Sequence, residues 1–250
     1  FELETLVMSP SLDPLLWSKP KTPAELVELL ECLGAPEFLE CADGNSPNLT
    51  FKRLDIPGSL STRQTDMGWE IGFSSLSTAA RAVGLALAGV EANENTPFRQ
   101  MGIMLDCSRN AVMRVDYLQG WLKKLALLGF NQLMLYTEDT YSLPDEPFFG
   151  YMRGAYSAEE IRAIDDFAAK LGIEVMACFQ TLGHCEQFLK WSAYQNIADT
   201  EKVMRVDQPG TFALIKKMIT FWSENLRSRR VHIGMDEAHD LGRGKWLDAN

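Results

Sequence analysis

The sequence holds few of the residues that build disulfide frameworks and zinc sites. Its 250 residues include 3 histidines and 5 cysteines, and no two cysteines form a CxxC pair. An odd number of scattered cysteines favours reduced thiols, so we expect a cytoplasmic protein. A structural zinc site needs clustered Cys and His ligands, and the spacing offers none. We therefore expect no metal and no other cofactor.

Long apolar segments are also lacking. The longest run of small apolar residues, Ala82–Val90, is far shorter than the ~20 residues that a transmembrane helix needs. The first residues, Phe-Glu-Leu-Glu, lack the basic and apolar regions of a secretory signal. We expect neither a membrane partner nor a signal peptide. Because the first residue is not Met, we also expect a start that is processed, trimmed or cut from a longer chain.

Basic residues are fewer than acidic ones: the chain has 24 Lys and Arg and 34 Asp and Glu, which gives a net charge of −10. A phosphate backbone requires a basic face, so we expect no nucleic-acid partner. Residues 236–239 spell Asp-Glu-Ala-His, which is similar to the magnesium-binding box of helicases. That box works beside a phosphate loop, and the sequence contains no GxxxxGK(S/T) segment, which argues against this interpretation.

The residues that are present fit a globular α/β protein. Hydrophobic residues make up 46% of the chain, and 250 residues suffice for one large domain or two small ones. Residues 1–97 are predicted to form a small α/β domain and residues 98–250 a second domain. The polar, Pro-terminated segment 91–97 is the predicted linker.

Three elements are predicted in the first domain, namely helices over 24–32 and 76–88 and a strand over 69–73. Thr22 is a candidate N-cap of the first helix, with Pro23 at its first position and Glu25 closing a capping box. Gly34 and Gly89 are predicted to end the two helices.

Strands and helices alternate in the second domain. Short apolar runs predict strands, and periodic segments predict helices between them: strands 101–105, 131–136, 173–179 and 231–235, helices 117–128, 158–171 and 209–226. This alternation is typical of a parallel sheet with right-handed crossovers. The near-continuous apolar strands indicate a sheet that is covered on at least one face.

Polar residues follow each of the four predicted strands. They are Asp106 and Arg109, Glu138 and Asp139, Gln180 and His184, and Asp236 and Glu237. Because the carboxyl ends of parallel strands share one face, these side chains are predicted to meet there, where α/β proteins place their sites. Any one of them alone is more simply a solvated loop charge, but four successive strands with such ends favour a site.

The adjacent carboxylates Asp236 and Glu237 are the sharpest feature. Two such groups at a strand end repel each other and are partly desolvated, so one pKa should rise towards that of a general acid. The alternative is a pair of acids before a helix, where they stabilise its dipole. The pair by itself supports both interpretations equally.

Residues 101–242 resemble glycoside hydrolase family 20, the β-N-acetylhexosaminidases. Residues 232–237 read His-Ile-Gly-Met-Asp-Glu, where the family signature is His-x-Gly-Gly-Asp-Glu. Residues 104–109 read Met-Leu-Asp-Cys-Ser-Arg, similar to the family's first strand. Gly183-His184 matches the Gly-His after the family's third strand, and Asp139 matches the acidic end of its second. The preceding α/β unit resembles the family's accessory domain in general layout.

The resemblance implies a fold of which the chain holds the beginning. The catalytic domain of the family is a (β/α)8 barrel, and four predicted βα units are half of one. We therefore expect an α/β accessory domain followed by the first half of a barrel, truncated after the fourth strand. If the 250 residues are the whole molecule, an exposed apolar sheet edge and little or no activity are expected.

The resemblance also implies an exo-β-N-acetylhexosaminidase that removes terminal GlcNAc or GalNAc from glycans or glycoconjugates with retention. Family 20 departs from the usual two-carboxylate scheme, because the substrate's own 2-acetamido oxygen forms an oxazolinium intermediate. Glu237 would be the general acid and base. Asp236 would stay ionised and hold the acetamido N–H. Met235 replaces the family's second Gly, which indicates a divergent branch.

Four further residues are implied to bind the substrate. Arg109 would hydrogen-bond ring hydroxyls, and Asp139 and His184 would form a buried polar network near Glu237. Glu138 either contacts substrate or faces solvent. On the residues alone, Arg109 is equally a surface ion pair, and His184 is more simply a core histidine. For the whole chain, the alternatives are a non-catalytic carbohydrate-binding relative and an inactive catalytic-domain fragment.

Overall fold

The computed structural model describes residues 14–34, 38–42 and 47–250. The first four residues, for which no secretory signal is expected, lie outside these ranges. The described chain divides into two compact units: one holds the described residues up to Arg99 with 123–129 and 170–172, and the other holds 100–122, 130–169 and 173–250. The predicted domain boundary between residues 97 and 98 stays a prediction.

The first unit combines two helices with two small sheets. Its elements are β1 (Leu15–Trp17), a 3-10 helix (Lys19–Lys21), α1 (Ala24–Leu33), β2 (Leu39–Cys41), β3 (Leu49–Arg53), β4 (Ser59–Thr65), β5 (Gly68–Phe73), α2 (Leu76–Leu87) and β6 (Ala92–Asn95). β1 and β2 pair in parallel, and the larger sheet has the order β3-β5-β4-β6. Helix α2 packs on β4 and β5, and α1 packs on α2.

Both predicted helices and the predicted strand of this unit are confirmed. Helix α2 begins with a capping box, in which the Ser75 side chain accepts from the Thr78 N–H at 3.3 Å. The cap predicted for α1 is wrong: Pro23 is its N-cap residue and no side chain caps the helix. Glu25, the predicted second half of that box, pairs instead with Arg53 at 2.5 Å.

The predicted linker over 91–97 is also wrong in part, because β6 lies inside it. This strand pairs antiparallel with β4, with Ser59 opposite Asn95. β6 is short, polar and at a sheet edge, as edge strands that avoid aggregation commonly are. Its composition therefore resembled that of a loop.

The second unit contains the predicted βα alternation. Its elements are β7 (Gly102–Asp106), most of α3 (Val115–Leu127), β8 (Gln132–Thr137), α4 (Ala158–Lys170), β9 (Glu174–Phe179), α5 (Glu186–Leu189), a 3-10 helix (Ser192–Tyr194), α6 (Pro209–Asn225), β10 (Val231–His232) and α7 (Lys245–Ala249). The strands form one parallel sheet in the order β7-β8-β9-β10. The expected α/β class with four parallel strands is confirmed.

The core of this unit lies between the sheet and its helices. Leu133 and Leu135 of β8 and Val175 and Ala177 of β9 are fully buried. The helices contribute apolar residues at helical spacing, which are Leu118, Leu122, Ile161, Ile164, Leu214 and Met218. Because all four strands run in parallel, their carboxyl ends and the loops that follow them lie at one edge of the sheet.

The last strand is shorter than predicted. β10 covers only Val231 and His232, whereas a strand over 231–235 was expected. β10 pairs with β9 alone, and Gly234 has a φ of +47° that ends the extended backbone. Met104 on β7 and Val231 on β10 are exposed, so both outer strands of this sheet present apolar side chains.

Three of the cysteine thiols are buried in the described part of the chain. Cys107, Cys178 and Cys185 are buried and unpaired, as the odd count predicts. Burial raises the pKa of Cys178 to about 11, so this thiol is uncharged at neutral pH and a poor nucleophile. In the part of the chain that the structure describes, no helix is long and apolar enough to cross a membrane.

Candidate active site

The loops after β8, β9 and β10 carry unusual backbone. Within the described ranges, every non-glycine residue with a positive φ lies in them: Asp145, Met152, Leu182, His184 and Glu237. Such residues sit in a disfavoured left-handed conformation that the surrounding structure must hold in place. Two of them, His184 and Glu237, are residues that the sequence singles out.

The structure brings His184 to the carboxylate pair. Its Nε2 lies 3.2 Å from Oε2 of Glu237 and 3.9 Å from Oδ2 of Asp236. The partial desolvation expected for the pair is not found, because 58% of the Asp236 side chain and 63% of the Glu237 side chain are exposed. The helix-start alternative also fails, since the next helix, α7, begins only at Lys245.

Close backbone contacts hold the turn 233–237 against the loop after β9. The Thr181 N–H donates to the Gly234 carbonyl at 2.8 Å, and the Thr181 hydroxyl donates to the Ile233 carbonyl at 2.8 Å. A Cβ on Gly183 would lie 2.9 Å from the carbonyl oxygen of Asp236. The glycine of the Gly183-His184 motif therefore lets this loop approach the backbone of the pair.

Gln180 and Tyr136 link the pair to the preceding strands. Gln180 is buried. In the amide orientation that gives hydrogen-bond partners to both its nitrogen and its oxygen, the nitrogen donates to Oδ1 of Asp236 at 3.2 Å. The same orientation lets its oxygen accept from the Tyr136 hydroxyl at 3.2 Å. The pKa of Tyr136 is raised to about 12, mainly by burial and secondly by the nearby Glu138 carboxylate. Tyr136 therefore stays a neutral donor and acceptor at neutral pH.

Arg109 lies beside this link. Its guanidinium donates to Oδ2 of Asp106 at 3.0 Å and to the Tyr136 hydroxyl at 3.1 Å, and it stacks 4.8 Å from the Tyr136 ring centre. Partial burial raises the pKa of Asp106. Hydrogen bonds from the N–H groups of Ser108 and Arg109 outweigh this effect, so the pKa lies below its ordinary value. About half of the Arg109 side chain is exposed, so donors remain open to a ligand.

Glu138 and Asp139 are the buried carboxyls of the site. Burial raises the pKa of both groups above their ordinary values. The neighbouring Glu186 raises the pKa of Glu138 further, while Arg109, Arg153 and His184 oppose the rise. Desolvation, which the sequence assigned to the pair after β10, thus acts on the pair after β8.

Arg153 is a site residue that sequence reasoning missed. It donates from Nε to Oδ1 of Asp139 at 3.1 Å and from Nη2 to the Ser108 carbonyl at 3.0 Å, and Nη2 lies 3.7 Å from Glu138. The available signal was the long loop 138–157, since long loops in compact domains are often functional. Arg153 lies in that loop directly before Gly154 and three residues after Gly150.

The predicted residues form two linked groups. Asp236, Glu237 and His184 make one, Arg109, Glu138 and Asp139 with Arg153 make the other, and Tyr136 and Gln180 connect them. The Asp139 carboxylate contacts Arg153 rather than His184. Among the described residues, no three His, Cys, Asp or Glu side chains are placed to hold a metal ion. The arrangement offers exposed carboxylates and an imidazole for proton transfer, backed by buried polar groups.

Comparisons with known proteins identify the family of this chain. Residues 97–249 match the model of glycosyl hydrolase family 20, catalytic domain. Hexosaminidase D of Homo sapiens is 31% identical in an alignment 166 residues long, which covers 61% of this chain and 33% of that protein. A beta-hexosaminidase of Vibrio furnissii is 25% identical in an alignment 189 residues long, which covers 61% of this chain and 30% of that protein. The chain thus spans about a third of the length of these curated relatives.

Solved structures share the fold at lower identity. A GH20 exo-β-N-acetylglucosaminidase from Vibrio harveyi in complex with N-acetylglucosamine superposes with a TM-score of 0.74 at 19% identity, covering 90% of this chain and 43% of that one. A GH20 β-N-acetylhexosaminidase from Streptomyces coelicolor gives a TM-score of 0.72 at 16% identity, covering 87% and 55%. The family match covers more than half of the chain, and the chain belongs to glycosyl hydrolase family 20.

Proposed function

We propose that this chain supplies the acid–base residues of an exo-β-N-acetylhexosaminidase, which releases terminal GlcNAc or GalNAc with retention. The observation that carries the proposal is the contact of His184 with Glu237 at 3.2 Å beside Asp236. Membership of family 20 and hexosaminidase relatives support the substrate class. The glycan is a β-N-acetylhexosaminide.

The geometry favours a division of labour between the two carboxylates. A retaining enzyme with a protein nucleophile has its carboxyls about 5–5.5 Å apart across the scissile bond. Asp236 and Glu237 are consecutive in one turn, so they approach a bound sugar from the same side. One of them is then free to act as acid while the substrate provides the nucleophile.

The reaction runs in two steps, formation of the oxazolinium and its hydrolysis. The acetamido oxygen bonds to the anomeric carbon as the glycosidic C–O bond breaks, and Glu237 gives its proton to the leaving oxygen. Asp236 accepts a hydrogen bond from the acetamido N–H and stabilises the positive charge of the oxazolinium. Glu237 then removes a proton from a water molecule as its oxygen bonds to the anomeric carbon. The bond between that carbon and the acetamido oxygen breaks, which restores the acetamido group and returns the proton to Glu237.

The remaining residues hold this machinery and the sugar. His184 orients Glu237, and Gln180 orients Asp236 through the contacts described above. Arg109 offers guanidinium donors to ring hydroxyls, with Asp106 and Tyr136 fixing its plane. Asp139 and Glu138 form the buried polar base of the site, and Glu138 lies 3.8 Å from Arg109.

The proposal is tested by hydrolysis of N,N′-diacetylchitobiose by the full-length protein and its Glu237→Gln variant. Loss of the proton donor is expected to lower kcat/KM by about 10²–10⁴-fold. Glu224→Gln, at an exposed position of α6, is the matched control and should retain activity.

Two results would contradict the proposal. One is binding of the disaccharide with no cleavage by the wild type, which would indicate a non-catalytic carbohydrate-binding relative. The other is cleavage that Glu237→Gln leaves unchanged, which would place the acid elsewhere.

A further inference from the structure

Three aromatic rings form a partly exposed cluster on the loops that follow β8 and β9. Phe148 and Tyr151 face solvent, whereas Trp191 is half-buried and its Nε1 is covered without a hydrogen-bond partner. Ring centres are 6.1 Å apart for Phe148 and Tyr151, 5.4 Å for Phe148 and Trp191, and 5.5 Å for Tyr151 and Trp191. Phe148 is 38% exposed and Tyr151 is 49% exposed. We call these three residues the aromatic platform. Neighbouring rings that face solvent together are unusual, because apolar groups of this size are normally buried.

Buried rings hold the platform from beneath. Phe149, next to Phe148, is buried and lies 5.0 Å from the Tyr141 ring and 5.1 Å from the Phe188 ring. Phe188 belongs to α5, which ends just before Trp191. The two loops are therefore joined by an internal ring contact, so the exposed rings are fixed in place before any ligand arrives.

The platform adjoins the buried carboxyls of the candidate active site. Gly150 lies so close to Asp139 that a Cβ there would come within 2.4 Å of the Asp139 carbonyl oxygen. Arg153, two residues after Tyr151, donates to the Asp139 carboxylate at 3.1 Å. Trp191 follows His184 along the other loop. The rings therefore lie on the same two loops that carry Asp139, Arg153 and His184.

In the loop that carries Phe148 and Tyr151, three residues after Phe148 have a left-handed backbone. Gly150, Met152 and Gly154 all have positive φ angles of 57–70°. Met152 carries a side chain in that conformation and is almost fully exposed. Of these three residues only Met152 is strained, because glycine adopts this conformation freely, and the surrounding loop must hold Met152 in place.

We propose that the aromatic platform binds the sugar residue on the leaving-group side of the scissile bond. The C–H face of a pyranose is apolar and carries slight positive charge, which suits the electron-rich face of an aromatic ring. Lys190, whose ammonium lies 5.5 Å from the Trp191 ring centre, is placed to donate to hydroxyls at its rim. The inference rests on the proposed function, because in an exo-acting enzyme only the leaving-group part of the glycan lies outside the site.

The first experiment measures binding without catalysis. The full-length protein carrying Glu237→Gln, which is expected to cleave the disaccharide about 10²–10⁴-fold more slowly, is labelled with 5-fluorotryptophan. The fluorine signal that disappears in Trp191→Phe is that of Trp191. Titration with N,N′-diacetylchitobiose should shift the Trp191 signal with a saturable curve. Phe148→Ala and Tyr151→Ala should each weaken binding by about tenfold. Phe212→Ala, an exposed ring on α6, is the control and should bind like the wild type.

An unmoved Trp191 signal at saturating disaccharide would overturn the proposal. So would Phe212→Ala weakening binding as much as Phe148→Ala. Both results would reject the aromatic platform without testing the proposed function, because neither measures cleavage.

The second experiment compares two substrates of the full-length protein. N-acetyl-β-glucosaminyl fluoride has a one-atom leaving group that cannot reach the rings, whereas chitobiose carries a whole sugar there. Phe148→Ala and Tyr151→Ala should each lower the ratio of kcat/KM for chitobiose to kcat/KM for the fluoride by about tenfold. An unchanged ratio in an active enzyme would overturn the platform and leave the proposed function intact. If the wild type cleaves neither substrate, the proposed function falls, and the fluorine titration still decides whether the rings bind sugar.

Discussion

At the scale of single residues, the site separates exposed reactive groups from buried supporting ones. Glu237 and Asp236 are open to solvent, while Glu138 and Asp139 are almost fully buried. Sequence motifs identified all four carboxylates but placed the desolvation on the wrong pair. Burial depends on which loops cover a strand end, and here the long loop 138–157 supplies Arg153 to Asp139. No local pattern states that pairing.

The Arg153 and Asp139 pair gives a prediction about stability. Arg153→Met leaves a buried carboxylate without its partner. The loss should be about 2 kcal/mol in the free energy of unfolding, below the 3–5 kcal/mol of fully buried pairs because Arg153 is partly exposed. Adding Asp139→Asn should recover most of that loss, so a double-mutant cycle should show strong coupling.

Arg114→Met is the matched control for that cycle. Arg114 pairs with Asp116 at 2.8 Å on the open surface, and such pairs contribute little. Purely additive effects of Arg153→Met and Asp139→Asn would contradict the positioning of Asp139 by Arg153.

Glu138 gives a prediction about pH. Burial and Glu186 raise its pKa above the ordinary 4.5, against the opposing charges of Arg109, Arg153 and His184. A raised carboxyl pKa means that the folded state binds more protons, so its stabilising contribution is present at low pH and lost as pH rises through the folded pKa. The free energy of unfolding of Glu138→Gln should therefore improve relative to wild type as pH rises above 4.5.

For Asp106→Asn we expect the opposite pH dependence of the free energy of unfolding relative to wild type. The pKa of Asp106 is below the ordinary 3.8, so its contribution is present above that value and lost as pH falls. Urea unfolding from about pH 3 to about pH 8 measures both differences. A Glu138→Gln difference that is flat, or that slopes like that of Asp106→Asn, would contradict the assigned burial effect.

At the scale of elements, local patterns predicted the long helices and the strands β5, β7, β8 and β9. They missed β1–β4 and β6, and they made β10 too long. α4 and α6 repeat apolar residues at helical spacing and pack on the sheet, so sequence period and tertiary structure agree. β6 and β10 are edge strands with one neighbour each. Their extent depends on partners distant in sequence, and β10 ends where Gly234 turns the chain.

Gly234 gives a prediction at this scale. Its φ is +47°, and a Cβ would lie 2.5 Å from the Phe179 carbonyl oxygen on β9. Gly234→Ala should lower the free energy of unfolding by about 1–3 kcal/mol. It should also lower kcat/KM by about 10²-fold, because the turn that carries Asp236 and Glu237 is displaced.

Gly120→Ala is the matched substitution in a helix. Gly120 lies in α3 with no atom within 4 Å of its added Cβ, so this change should stabilise by about 0.5–1 kcal/mol and leave activity unchanged. Wild-type activity in Gly234→Ala would show that the turn does not position the pair.

At the scale of the whole molecule, the βα alternation was predictable because each unit carries its own periodic signal and the connections follow one hand. Four parallel strands are half of the barrel that the resemblance implies, and the chain spans 33% of human Hexosaminidase D. The cytoplasmic location and the absence of a nucleic-acid partner stay predictions from composition. The aromatic platform could not be foreseen, since its rings come from two loops that only the sheet brings together.

The most direct test of the central claim is the anomer that forms first. Proton NMR of an aryl N-acetyl-β-glucosaminide with the full-length protein resolves the α and β anomeric signals of the released sugar before they interconvert. Hydrolysis through the substrate's own acetamido group inverts the anomeric carbon twice, so the account predicts the β anomer first. Release of the α anomer first, or no release at all, would contradict it.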